Sequence, residues 1–129
     1  MRKILLAALT AGSMGLALVN PVETRADTIK IGGLLETSGF LASLGKPGLE
    51  GAMLAIDHIN AAGGINGEKL ELINVNTESD NTKAVSAARR LMETDGLVAM
   101  IGAMNSGSTY AIIDVLQRAK FPIIANRAS

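Results

Sequence analysis

The string GAMNSGST, residues 102–109, holds the densest cluster of groups able to do chemistry. It follows an apolar run, residues 97–101, and opens a segment with helical periodicity. Free N–H groups at such a helix start, with the helix dipole behind them, bind a carboxylate or another anion. Ser106 and Ser108 add hydroxyls that can donate to the same anion. The two hydroxyls are equally suited to capping the helix, or one serine does each job. The spacing also copies a phosphate-binding loop, with Gly102 and Gly107 framing four residues ahead of Ser108-Thr109. Ser108 stands where the lysine that reaches the phosphates belongs, which argues against a nucleotide.

Other chemistries lack their parts. His58 is the only histidine and the chain has no cysteine, so no metal-ligand set can be assembled around it. No G-x-G-x-x-G follows the first apolar run, and no G-x-S-x-G is present, so neither a dinucleotide site nor an α/β-hydrolase elbow is indicated. The acidic residues are scattered singly, leaving no carboxylate pair for acid–base work. A secreted hydrolase built on Ser106 would need a base and an oxyanion pattern that the sequence does not supply. The expectation is a binding protein rather than an enzyme, with no cofactor and no metal.

The elements that must position these groups are legible from periodicity. Residues 28–35, 70–76, 97–101 and 123–125 read as short buried strands. Between them lie helices: one from Leu49 with Ala52, Met53, Ile56 and Ile59 on its apolar face, ended by Gly63-Gly64, and one capped among residues 80–82. This second helix carries a stripe of Val85, Ala88, Leu91 and Met92, and Arg89 can pair with Glu93 one turn on. The third spans residues 108–119, with Ile112, Leu116 and Ala119 facing the core. Residues 36–48, containing Pro47, read as a loop, and Met53, Met92, Met100 and Met104 read as core filling. The order β-α-β-α-β-α-β with apolar strands predicts an α/β, doubly wound parallel sheet. Ligands bind such sheets beyond the carboxyl ends of the strands. That rule selects residues 36–45, 102–109 and 126–129.

The N-terminus locates the work. Arg2-Lys3, an apolar run over residues 4–19, and Thr24-Arg25-Ala26 read as a signal peptide, residues 1–26, cleaved before Asp27. The run is shorter than a membrane span. The chain carries 12 basic and 12 acidic side chains; the leader takes three and one of these, leaving a mature segment with a formal charge of −2. That balance gives no electrostatic footprint for nucleic acid or an anionic membrane. With no cysteine there is neither a disulfide nor a lipid-attachment residue, so a freely soluble periplasmic protein with no membrane anchor is expected. Export also removes ATP as a partner. The chain stops soon after the fourth strand with no helix to cover it, and so reads as a fragment of a longer protein.

Residues 27–129 resemble the type I periplasmic substrate-binding proteins of branched-chain amino-acid ABC transporters, the leucine/isoleucine/valine-binding group. The resemblance is carried by IKIGGLLETSG, GLEGAMLAIDHINAAGGINGEKLEL, VAMIGAMNSGST and FPIIANRAS. The second string is the most specific, because its order of helix, double glycine and turn recurs in that family.

The resemblance implies a two-lobe clamp, of which residues 27–129 would be a partial N-terminal lobe. It implies that Ser106, at the start of the third helix, and Ser129, where threonine is often found, hold a ligand carboxylate. Backbone groups of Arg127 and Ala128 would contact the ligand, and Leu44 would stand in the wall after the first strand, where an aromatic residue can occur. Asn105 occupies one position of a cysteine pair present in some members and is counted among the ligand-binding residues. Arg127 replaces a small residue, and either adds a second anion contact or faces solvent; Phe40 replaces a common proline. The implied ligand is an amino acid or small carboxylate, and the implied partners are the transmembrane subunits of an ABC permease. The same fold can instead serve as a ligand sensor feeding a signalling partner.

Overall fold

A computed structural model describes residues 28–125 of the chain. The signal-peptide reading of residues 1–26, and the candidate residues Arg127, Ala128 and Ser129, lie outside the described residues. In chain order the elements are β1 (Ile29–Leu34), α1 (Ala42–Ala61), β2 (Leu70–Asn74), α2 (Asn81–Met92), β3 (Leu97–Gly102), α3 (Ser106–Ala119) and β4 (Ile123–Ile124).

The four strands form one parallel sheet in the order β2-β1-β3-β4. The chain steps outward from β1 to β2 and then back across to β3, so strand order reverses between β1 and β3. Their carboxyl ends, in register at Leu34 and Gly102, define the switch-point crevice. One irregularity interrupts this pair: Lys30 faces Leu97 and Ile31 faces Ala99, leaving Val98 as an extra, half-exposed residue.

Alternation along each strand separates the two faces. Gly32, Leu34, Ile73, Met100 and Ile123 belong to one face, and onto it pack Ala84, Ala87, Ala88 and Leu91 of α2 with Ile112 and Leu116 of α3. The small residues of α2 let its axis approach the strands. A β-carbon on Gly32 would come within 3.1 Å of both Leu91 and Met100. On the opposite face Leu70 and Leu72 line a groove of about 300 Å³ with Leu49, Met53 and Ile56 of α1. There Asn60, near the end of α1, brackets the backbone of Leu70, accepting from its N–H at 2.8 Å and donating to its carbonyl at 2.9 Å. Among the described residues no helix is long and apolar enough to cross a membrane.

Four expectations change. The first helix begins at Ala42, not Leu49, with Pro47 inside it. Proline fits helical φ, and the carbonyl left without an N–H is that of Ser43, which is exposed to water. The third helix begins at Ser106 rather than Ser108, because Asn105 caps it. Met53, Ile59 and Ala119, expected in the core, are exposed, whereas Met100 and Met104 are buried as expected. Arg89 and Glu93 form no ion pair; among the described residues the pairs are Lys83–Glu78 and Arg118–Asp114, both exposed.

Candidate functional site

Three loops meet at the switch point: residues 35–41 after β1, 75–80 after β2, and 103–105 after β3. The first is pinned to the second by asparagine side chains acting as substitutes for strand pairing. Asn74 accepts from the Leu35 N–H at 2.9 Å and donates to the Leu35 carbonyl at 3.1 Å. Asn76 accepts from the N–H groups of Thr37, Ser38 and Glu78 at 3.0, 3.3 and 3.1 Å, and donates to the Ser38 hydroxyl at 2.7 Å. The hydroxyl of Ser79 accepts from the Leu41 N–H at 3.1 Å, at the entrance to α1. Gly45 then lets α1 cross directly over the first loop: a β-carbon there would lie 1.8 Å from the Glu36 carbonyl oxygen.

The third loop leaves β3 through Gly102, whose φ of 101° suits glycine and whose hydrogen points at the Leu34 carbonyl. Asn105 follows in extended backbone and closes the first turn of α3, accepting from the Ser108 N–H at 2.7 Å. Its carbonyl receives the Thr109 N–H at 3.0 Å and the Thr109 hydroxyl at 2.9 Å. The amide nitrogen of Asn105 donates to the Ser108 hydroxyl at 2.9 Å and to the Glu36 carboxylate at 3.2 Å. Ser108 in turn donates to Asn81 at 3.0 Å, on the first residue of α2.

Ser106 lies half-buried in the first turn of α3, followed by exposed Gly107, whose N–H has no partner among the described residues. Ser108 is fully buried and its hydroxyl is committed to Asn105 and Asn81, so it braces the starts of α3 and α2 against each other rather than facing the crevice. Leu44 lies half-buried on the first turn of α1, not on a loop. Asn105 joins the Ser106 turn but spends its side chain on the protein itself. His58 is exposed on α1, and among the described residues no group of three metal-ligating side chains forms.

Sequence reasoning missed Glu36, Asn74, Asn76 and Asn81. A signal was there: asparagines at alternate positions closing an apolar strand, and a carboxylate immediately after another, are costly to bury without partners. Glu36 is fully buried with no ion-pair partner among the described residues. Its two oxygens each accept from the Met104 N–H at 3.3 Å, and it faces the positive end of α3.

Comparison with known proteins gives a consistent picture. The periplasmic binding protein family model matches residues 28–129. A Leu/Ile/Val-binding protein homolog of Brucella abortus is 39% identical over 115 residues, covering 88% of this chain and 28% of its own length. Among solved structures, the branched-chain amino acid transporter substrate-binding protein LivJ of Streptococcus pneumoniae, in complex with isoleucine, superposes with a TM-score of 0.76. It is 38% identical, with 80% of this chain and 30% of that protein covered. The leucine-binding protein LivK of Thermotoga maritima gives a TM-score of 0.70 at 27% identity, over 78% of this chain and 28% of that one. The chain thus spans about three-tenths of the length of the relatives it matches. With the matched segment covering the whole described sheet and its crevice loops, the chain belongs to the periplasmic binding protein family.

Proposed function

We propose that this chain forms one wall of the ligand crevice of a periplasmic substrate-binding protein that captures an amino acid and presents it to an ABC permease. The observation that carries the reading is the first turn of α3 at the switch point. It combines Ser106, the exposed N–H of Gly107 and a helix dipole, and these suit a carboxylate. Ser129, with the backbone of Arg127 and Ala128, would complete the carboxylate clamp, and Leu44 on α1 would flank it. The relatives named for leucine, isoleucine and valine support a zwitterionic amino acid with an aliphatic side chain as the ligand. Closure of a second lobe over this wall would bury the ligand by a hinge motion and create the surface that a permease reads.

Titration calorimetry of the full-length protein against L-leucine, L-isoleucine and L-valine tests the reading. At least one is expected to bind at micromolar affinity or tighter. Replacing both Ser106 and Ser129 by alanine removes charge-assisted hydrogen bonds of ~1.5–3 kcal/mol each, weakening binding roughly a hundredfold or more. Undiminished affinity in that double variant overturns the site; uptake by reconstituted permease vesicles only when the binding protein is added supports delivery.

A further inference from the structure

The buried carboxylate of Glu36 has no role in the reading above, yet it joins the two loops that bound the crevice. It is the second residue beyond β1, fully buried beneath α1, where Gly45 leaves no room for a side chain between helix and loop. Its partners are all on the far side of the crevice: the Met104 N–H to both oxygens at 3.3 Å, and the Asn105 amide at 3.2 Å. Asn105 is the cap of α3, and the same amide touches Ser108, which is tied to Asn81 of α2. A single run of hydrogen bonds, Glu36–Asn105–Ser108–Asn81, therefore links the loops after β1 and β3 to the start of α2. Glu36 and Ser108 are fully buried and Asn105 half-buried, a setting in which such hydrogen bonds hold one geometry; only Asn81, at the end of the run, is exposed.

The position of the carboxylate matters for the ligand. Glu36 takes up the N–H of Met104, two residues ahead of Ser106, from inside the protein, so neither the Ala103–Met104 peptide nor the Asn105 side chain can turn without breaking its contacts. We propose that Glu36 is the positioning residue of the carboxylate subsite: it fixes the loop after β3 so that Ser106 and the first-turn N–H groups of α3 face the crevice. This rests on the function proposed above. The residue does not touch the ligand; it acts through Met104 and Asn105. Its chemistry suits the task, because a carboxylate only accepts: one oxygen takes both the Met104 N–H and the Asn105 amide, and the second shares the Met104 N–H.

The test uses the full-length protein with Glu36→Gln. Glutamine keeps the volume but swaps one acceptor oxygen for an NH₂ that faces the Met104 N–H in either orientation, and in one of them the Asn105 amide as well. Two readouts are taken. Amide hydrogen exchange without ligand is expected to quicken roughly tenfold at Met104 and Ser108. Binding is measured with L-leucine and with L-leucinamide, which lacks the carboxylate. The preference for leucine over leucinamide is expected to fall roughly tenfold while leucinamide affinity stays constant. A merely structural role would weaken both compounds alike, and equal loss overturns the proposal, as does unchanged exchange at Met104. If Glu36→Gln does not fold, Glu36→Asp carries the same readouts, since it keeps the charge and shortens the reach. If the wild-type protein binds no amino acid, the functional reading fails and the positioning of a carboxylate subsite falls with it. The exchange measurement then still decides whether Glu36 holds the loop.

Discussion

On the side of the sheet covered by α2 and α3, Leu34, Leu91, Met100, Ile112 and Leu116 are each at most 2% exposed. On the side covered by α1, Met53 is 52% exposed and Ile124, on the last strand, 70%. Both sides present aliphatic strands, so strand composition does not set the difference. Two helices against one does: α2 and α3 cover their face between them, whereas α1 alone packs on the other. The lesson concerns the crevice. Its α3 wall is anchored by Ile112 and Leu116 in a closed core, whereas its α1 wall is held by a glycine contact at Gly45 and by asparagine hydrogen bonds. Packing anchors the α3 helix itself, while polar contacts hold the loops on both sides of the crevice.

The largest effect belongs to the closed face. Leu91 packs against the strands at Gly32 and is 1% exposed, so Leu91→Ala leaves a cavity that surrounding strands cannot fill. A loss of about 2–5 kcal/mol in unfolding free energy is expected, read by denaturant titration of the full-length protein. A loss below about 1 kcal/mol would remove the contrast between the faces.

Next come the helix caps, which sharpen the comparison at the crevice. Asp80 caps α2 on the surface through the Lys83 N–H at 2.8 Å, and Asp80→Ala is expected to cost about 1 kcal/mol. Asn105→Ala removes an equivalent cap and also strips a donor from buried Glu36, so about 2–3 kcal/mol is expected. Equal costs in the two variants would mean that the Asn105–Glu36 contact contributes nothing to holding the crevice.

Much of this was legible in the sequence. Periodicity located all seven elements, and the switch-point rule located the loops after β1 and β3 but not residues 75–80 after β2, because both depend on residues near in sequence. What escaped was non-local. Pro47 reads as a loop signal, and only the exposure of Ser43 shows that the missing N–H is harmless there. Ser106 and Ser108 are indistinguishable as hydroxyls; burial of Ser108 against Asn81, 27 residues away, separates their roles. Glu36 looks like any loop carboxylate until residues 68 and 69 positions later fold onto it. The helical stripe of α1 was correct in period, but the sheet beneath it leaves Met53 and Ile59 uncovered.

The smallest effect is expected on that open face, where it is also the most informative. Full burial of a methionine side chain is worth about 1.5–3 kcal/mol, and Met53 is half exposed, so Met53→Ala should cost no more than about 1 kcal/mol. Met53→Glu should cost little more, because its carboxylate can reach water from the groove between α1 and β2. The relatives are more than three times as long as the matched segment, which makes the full-length protein the right setting for both variants. A glutamate cost above about 2 kcal/mol there would mean that Met53 is dry in the complete protein, since stranding a buried charge is what produces penalties of that size. The asymmetry of the two faces would then belong to residues 28–125 alone, and α1 would be as firmly packed a wall as α3.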